Sequence, residues 1–122
     1  MFLITKRLKF DAAHNLLNYN GVCENIHGHT YYLEVSCIGK KKEDGMVVDF
    51  NIIKKIIEEN IIAKFDHKYL NEIIKQPTAE NILEFIWKEL ENKFNNYGVK
   101  LFSLKIWEGP NSIAEFRGGA DF

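Results

Sequence analysis

The chain has 122 residues, a mass of 14.2 kDa and a formal net charge of −1, which suits one domain with its own core. Hydrophobic residues make up 46% and charged residues 27%, a balance that excludes a disordered tail and signals neither nucleic acid nor a membrane surface as partner. No run reaches the roughly twenty apolar residues that span a bilayer, and Met1-Phe2-Leu3-Ile4-Thr5-Lys6 lacks the layout of a secretory signal, so a cytoplasmic chain with free thiols at Cys23 and Cys37 is expected. At this size an enzyme often builds its site between subunits, so oligomerisation is expected as well.

From Phe2 to Ala12 the apolar residues Phe2, Ile4, Leu8, Phe10 and Ala12 alternate, with Lys6 the exception, and His14 continues the row. The period predicts a strand whose inward face ends in that histidine. A loop rich in Asn and Gly runs from Asn15 to Asn25. A second strand is predicted from about His27 to Gly39, where Tyr31, Leu33, Val35 and Cys37 share phase with His27 and His29, placing Cys37 in the core. Lys40 to Gly45 reads as a charged turn and Met46 to Phe50 as a short strand, with Asp49 the N-cap of a helix carrying Ile52, Ile53, Ile56 and Ile57.

Phe65 to Asn71 shows no clean period and reads as a loop, the kind of segment that often holds chemistry. Pro77-Thr78-Ala79-Glu80-Asn81 looks like a helix start, with Thr78 as N-cap, Glu80 in the first turn and a buried stripe of Ile82, Leu83, Ile86, Leu90 and Phe94. Tyr97-Gly98 ends that helix. Val99 to Glu108 then alternates with Phe102, Leu104 and Ile106 on one face, a row ending in Glu108, and Ile113 to Arg117 forms a last strand after the Gly109-Pro110-Asn111 turn. The order ββααββ gives a single α+β domain over residues 1–122, a four-stranded antiparallel sheet with both helices on one face.

Cys23-Glu24-Asn25-Ile26-His27-Gly28-His29 carries the most chemistry. His27 and His29 are two apart, so on a strand both rings leave one face, with Gly28 keeping the spot between them uncrowded. With His14 they make three imidazoles that leave a fourth position open, the pattern of a catalytic rather than a structural zinc site. Cys23 reads either as a small buried hydrophobe or as a thiolate whose pKa a nearby cation lowers. Asp66-His67 is either a surface pair or a carboxylate orienting an imidazole for proton transfer. Glu108 is a solvated strand end, or a carboxylate beside an apolar wall that reads a guanidine-like edge by paired hydrogen bonds. Thr78 and Glu80 serve the helix start, with ligand contact as the lesser reading.

These residues resemble the 6-pyruvoyltetrahydropterin synthase and 6-carboxytetrahydropterin synthase family along essentially the whole chain. The resemblance rests on Phe10-Asp11-Ala12-Ala13-His14, on Cys23 followed by His27-Gly28-His29, and on Val48-Asp49-Phe50, Phe65-Asp66-His67, Pro77-Thr78-Ala79-Glu80-Asn81 and Trp107-Glu108. It implies the tunnelling fold, in which sheets of several subunits close into a barrel, and a homo-hexamer of two trimers with active sites between subunits. It further implies Zn2+ on His14, His27 and His29, Cys23 as general base, Asp66 with His67 as a proton relay, and Glu108 anchoring the pterin, with Thr78 and Glu80 near it. Ala79 departs from members that carry a hydroxyl there.

The implied substrate is 7,8-dihydroneopterin triphosphate. The implied product is 6-carboxytetrahydropterin, on the deazapurine path to queuosine, with the 6-pyruvoyl product of tetrahydrobiopterin synthesis as an alternative. In one subgroup a glutamate in this loop replaces the cysteine and the side chain is cleaved to 6-hydroxymethyl-7,8-dihydropterin for folate; here Glu24 stands beside Cys23. A reading from another class is a pterin-binding oligomer without chemistry.

Overall fold

The computed structural model describes residues 1–17 and 25–119. The alternating first segment forms strand β1 (Phe2–His14), with Phe10, Ala12 and His14 buried on one face. Strand β2 (His27–Gly39) pairs with it antiparallel along its full length, so that Phe2 lies opposite Gly39 and His14 opposite His27. A long two-stranded frame therefore brings both ends of the intervening loop to one end of the sheet.

Asp49 caps helix α1 (Phe50–Ile57), its carboxylate accepting the Asn51 N–H at 2.8 Å. The helix continues through a π turn (Glu58–Ile62) into the short α2 (Ala63–Phe65), burying Ile53, Ile57, Ile61 and Phe65 in succession. A brief strand β3 (Lys68–Tyr69) and a 3-10 turn (Leu70–Glu72) lead to α3 (Ala79–Leu90), capped by the Thr78 hydroxyl, which accepts the Asn81 N–H at 3.1 Å. Strands β4 (Lys100–Glu108) and β5 (Ile113–Arg117) complete a five-stranded sheet in the order β3-β1-β2-β4-β5.

The core lies between the helices and one sheet face. Tyr31, Leu33, Val35, Cys37, Leu104 and Ile106 from the strands and Ile53, Ile57, Ile82, Ile86 and Leu90 from the helices are fully buried. The Cys37 thiol is free, and burial pushes its pKa up to about 12, so it is an inert core residue. The other sheet face is polar: the Arg7 guanidinium lies 4.6 Å from the Tyr32 ring and 4.7 Å from the Trp107 ring, and 3.7 Å from Glu34. Gly118 permits a close approach at the end of β5, since a Cβ there would stand 2.4 Å from the Trp87 ring. Among the described residues no helix is long and apolar enough to cross a membrane.

Three expected strand features need correction. The sheet has five strands rather than four, because the chain leaving α2 turns back along the open edge of β1 and Lys68–Tyr69 pairs parallel with Ala12–Ala13. Met46 to Phe50 is not a strand: Lys42 and Met46 close a turn by a 2.9 Å hydrogen bond, and Phe50 already belongs to α1. Phe102 does not share the buried row of Leu104 and Ile106. The register of β2 against β4 shifts between Ser36 and Cys37, so Ser36 faces Ser103 but Cys37 faces Leu101. Phe102 is the extra residue of a bulge, which reverses the alternation and turns Leu101 and Val99 inward in its place.

Candidate metal and catalytic site

His14 ends β1, His27 begins β2 directly opposite it, His29 follows on the same face, and Glu108 ends β4 opposite Tyr31. Strand pleating alone converges these four side chains, whose metal-binding donor atoms all lie within 4.8 Å of one another. Ring centroids are 4.9 Å apart for His14–His27, 5.1 Å for His14–His29 and 4.5 Å for His27–His29. Gly28 is not forced by crowding, since a Cβ there would make only an ordinary 3.8 Å contact with the Ala12 carbonyl.

The outer nitrogens of two of these rings are occupied. His27 Nδ1 donates to the Asn25 carbonyl at 2.7 Å, which leaves its Nε2 with the lone pair. His14 Nδ1 is 2.7 Å from the Tyr31 hydroxyl. By contrast, His14 Nε2 and His29 Nε2 are buried and have no hydrogen-bond partner. Glu108 Oε1 approaches to 3.0 Å from His29 Nε2 and 3.6 Å from His14 Nε2, yet neither contact has hydrogen-bond geometry.

Burial pushes the His14 pKa down to about 4, helped by the neighbouring His29 and His27 and opposed by a hydrogen bond from the ring to the Pro77 backbone. The His29 pKa is also lowered, first by burial and then by His27, against the pull of Glu108. Neutral imidazoles with unsatisfied inward nitrogens beside a carboxylate are ready-made cation ligands, and a divalent metal ion fits this donor set.

A second group forms at the edge of β1. Asp66 Oδ1 accepts the Asp11 N–H at 3.0 Å, the His67 N–H donates to the Asp11 carbonyl at 2.6 Å, and His67 Nδ1 lies 3.0 Å from Asp66 Oδ2. The turn holds His67 at φ 58°, left-handed for a residue that is not glycine. The Asp11 N–H is the chief cause that holds the Asp66 carboxyl below its ordinary range, with His67 adding to it. The Asp11 side chain is in turn fixed by the Thr30 hydroxyl, which donates to it at 2.5 Å. Asp11, Gly28, Thr30, His67 and Tyr69, together with His29 of the first group, line a cleft of about 590 Å³.

The two groups sit on opposite sides of the strand. His14 belongs to the buried face of β1, whereas the Asp11 side chain, whose donor atoms cluster with those of Asp66 and His67, projects from the exposed face. Thr78 is the cap of α3, one residue after the Pro77 backbone that meets His14, and Glu80 is exposed in the first turn. Cys23 and Glu24 lie outside the described residues.

Several contributors escaped the sequence reading. Tyr31 looked like core, and only its cross-strand position reveals the hydroxyl on His14. Asp11 and Thr30 share an outward parity that could have paired them once the hairpin register was known. Asn71 and Gln76 clamp the stem of the loop after His14: Asn71 bonds both backbone groups of Asn15, at 3.0 and 2.8 Å, and Gln76 bonds both of Leu17, at 2.6 and 3.0 Å. Amides so far away in sequence gave no local signal.

The family model described as "6-pyruvoyl tetrahydropterin synthase" matches residues 3–119. A 6-carboxy-5,6,7,8-tetrahydropterin synthase of Haemophilus influenzae is 32% identical over 143 aligned positions, covering 96% of this chain and 99% of the relative. A dihydroneopterin monophosphate aldolase of Pyrococcus furiosus is 39% identical over 106, covering 87% and 89%. The solved structure of Caenorhabditis elegans 6-pyruvoyl tetrahydropterin synthase superposes with a TM-score of 0.85 at 26% identity, covering 97% of this chain and 96% of that one.

Proposed function

Because the chain belongs to the 6-pyruvoyl tetrahydropterin synthase family and is an enzyme of that family, we propose that it is a zinc-dependent lyase that converts 7,8-dihydroneopterin triphosphate to 6-carboxy-5,6,7,8-tetrahydropterin, on the path to queuosine. The observation that carries the metal half of this reading is the pair of buried, unpartnered nitrogens on His14 and His29 beside His27. The product assignment leans on the relatives named for the 6-carboxy reaction.

In this reading His14, His27 and His29 hold Zn2+. The ion supplies Lewis acidity toward the hydroxyls of the substrate side chain. Glu108 pairs with the amidine edge of the pterin through both carboxylate oxygens, and Thr78 and Glu80 lie beside the ring. Cys23 takes a proton from the side-chain carbon next to the ring, as a thiolate favoured by nearby positive charge. Asp66 stays ionised and orients His67 through Nδ1, leaving Nε2 to accept or donate the proton on the other side of the substrate.

The placement of the two groups on opposite faces of β1 supports a site completed by another copy of the chain, as in a hexamer of two trimers. Mixing a His14→Ala chain with a His67→Ala chain tests it. Each alone is inactive, and co-assembled chains regain activity if one subunit supplies the metal and the next the relay. No recovery would count against shared sites.

A second reading is favoured by the aldolase relative and by Glu24 next to Cys23: cleavage of the side chain to 6-hydroxymethyl-7,8-dihydropterin, led by Glu24. Chromatography of one reaction with zinc and the triphosphate substrate separates the products. Formation of the 6-carboxy compound supports the first reading, formation of the hydroxymethyl compound supports the second, and retention of the latter by Cys23→Ala assigns it to Glu24. No pterin product from either the triphosphate or the monophosphate sinks both.

A further inference from the structure

Glu108 is assigned above to the pterin edge, yet its carboxylate stands among the histidines. Oε1 is 3.0 Å from His29 Nε2 and 3.6 Å from His14 Nε2, and it belongs to the same set of donor atoms as His27. Since neither approach is a hydrogen bond, the carboxylate is not satisfying those nitrogens. Four donors instead face a common centre. The backbone at this point is fixed, because the Glu108 N–H bonds the Ser112 carbonyl at 3.0 Å and Gly109 takes the tight left-handed turn at φ 76°. The side chain is less confined: it is 24% exposed, and a glutamate head can swing about its side-chain torsions without moving the strand.

We propose that Glu108 is a shared carboxylate: without substrate it closes the fourth position of the metal beside His14, His27 and His29, and with substrate it leaves the ion and takes the pterin edge. The inference rests on the metal and pterin reading above. A paired contact with an amidine takes both oxygens side by side in one direction, so a head turned toward the histidine centre has to turn away from it to make that contact. The resting ion then has four protein ligands, like a closed structural site, and carries a reduced net charge. Departure of the carboxylate opens a coordination position and restores the full positive charge of the site only when a pterin is present. This is ligand exchange, with no change of oxidation state. Its thermodynamic signature is competition: zinc and the pterin ring weaken each other's binding by the same factor.

The test uses the full chain, Zn2+ affinity by chelator competition, and the visible spectrum of the Co2+-loaded protein. The probe is a pterin with no side chain at carbon 6. It is expected to lower the zinc affinity of the wild type, by the factor with which zinc lowers its own, and to shift the Co2+ spectrum. In Glu108→Ala and Glu108→Gln neither effect appears, and zinc affinity is lower by more than about tenfold. The proposal is overturned if the variants bind zinc within about twofold of wild type, or if the pterin leaves the wild-type spectrum and zinc affinity unchanged. The wild-type competition needs no variant, so a misfolded substitution does not blunt the test. Product formation reads the lyase function separately: product without competition sinks this inference alone, whereas competition without product sinks the lyase reading and leaves the shared carboxylate.

Discussion

The histidine cluster and the Asp66–His67 turn use the same side chain in opposite settings. His14 is fully buried and kept neutral, its pKa lowered to about 4, while the His67 side chain is 77% exposed beside an ionised carboxylate. The first group is placed by strand pleating and needs dryness, since burial is what leaves lone pairs free for a cation. The second is placed by backbone hydrogen bonds to Asp11 and is open to solvent, as the proposed proton relay requires. Substitutions in the two regions should therefore fail in different ways.

The largest effect is expected at the cluster. If His29 holds zinc as proposed, His29→Ala should bring bound zinc by elemental analysis toward zero and lower turnover by about 10³-fold or more, the equivalent of several kcal/mol of lost Lewis-acid stabilisation. His67→Ala is expected to keep its full zinc content while kcat falls by about 10²- to 10⁴-fold. Loss of zinc from the His67 variant, or full zinc in the His29 variant, would break the division.

Much of the cluster could be read before the structure because it depends on the simplest periodicity. His14, His27 and His29 extend apolar rows of period two, so the residues that predict the core also point the imidazoles. The long hairpin was legible for the same reason, while both helix caps showed by residue type and the stripe of Ile82, Leu83, Ile86 and Leu90 by its helical period. Helix α3 ends at Leu90 rather than at Tyr97-Gly98, with Phe94 buried beyond it. What was not legible depends on register or on contacts distant in sequence. The bulge that displaces Phe102 arises only when β4 is laid against β2. Strand β3 is two residues long and owes its pairing to the open edge of β1 rather than to its own sequence. The support of Asp66 and His67 by Asp11 crosses 55 residues for the Asp66 bond.

Smaller changes sharpen the contrast. Tyr31→Phe removes the hydroxyl on His14 Nδ1 and leaves the three imidazoles in place, so on the proposed zinc reading metal affinity should fall by about 10- to 100-fold while the proposed proton relay at His67 is untouched. Chelator competition reads it, and unchanged affinity would show that packing alone orients the ring. The pH dependence of the metal-free protein probes the same burial. His14 binds a proton near 6.5 when unfolded and near 4 when folded, so between these values the unfolded chain holds more protons. Stability is present in full above 6.5 and is lost as pH falls toward 4, by about 3 kcal/mol for this one group. Urea unfolding of zinc-free protein at stepped pH measures it. A flat profile across that window would mean that the cluster opens to water once the metal is removed.

Thr78 gives the smallest effect and separates scaffold from site most finely. Its oxygen already accepts the Asn81 N–H, so the hydroxyl proton is the part left for a ligand, while the preceding Pro77 backbone touches His14. Thr78→Ala should cost about 1 kcal/mol through the lost cap, seen as a melting temperature lower by about 4 °C. Thr78→Ser restores both cap and hydroxyl and should melt near wild type. Thr78→Asp caps equally well but has no proton to give, so it divides the two roles. A KM raised in the Asp and Ala variants alike and normal in the Ser variant places the hydroxyl on the substrate. If the KM of the Ala variant stays at the wild-type value while its melting temperature drops, the residue serves the helix alone, and the contact between α3 and the site runs through Pro77 and His14 instead.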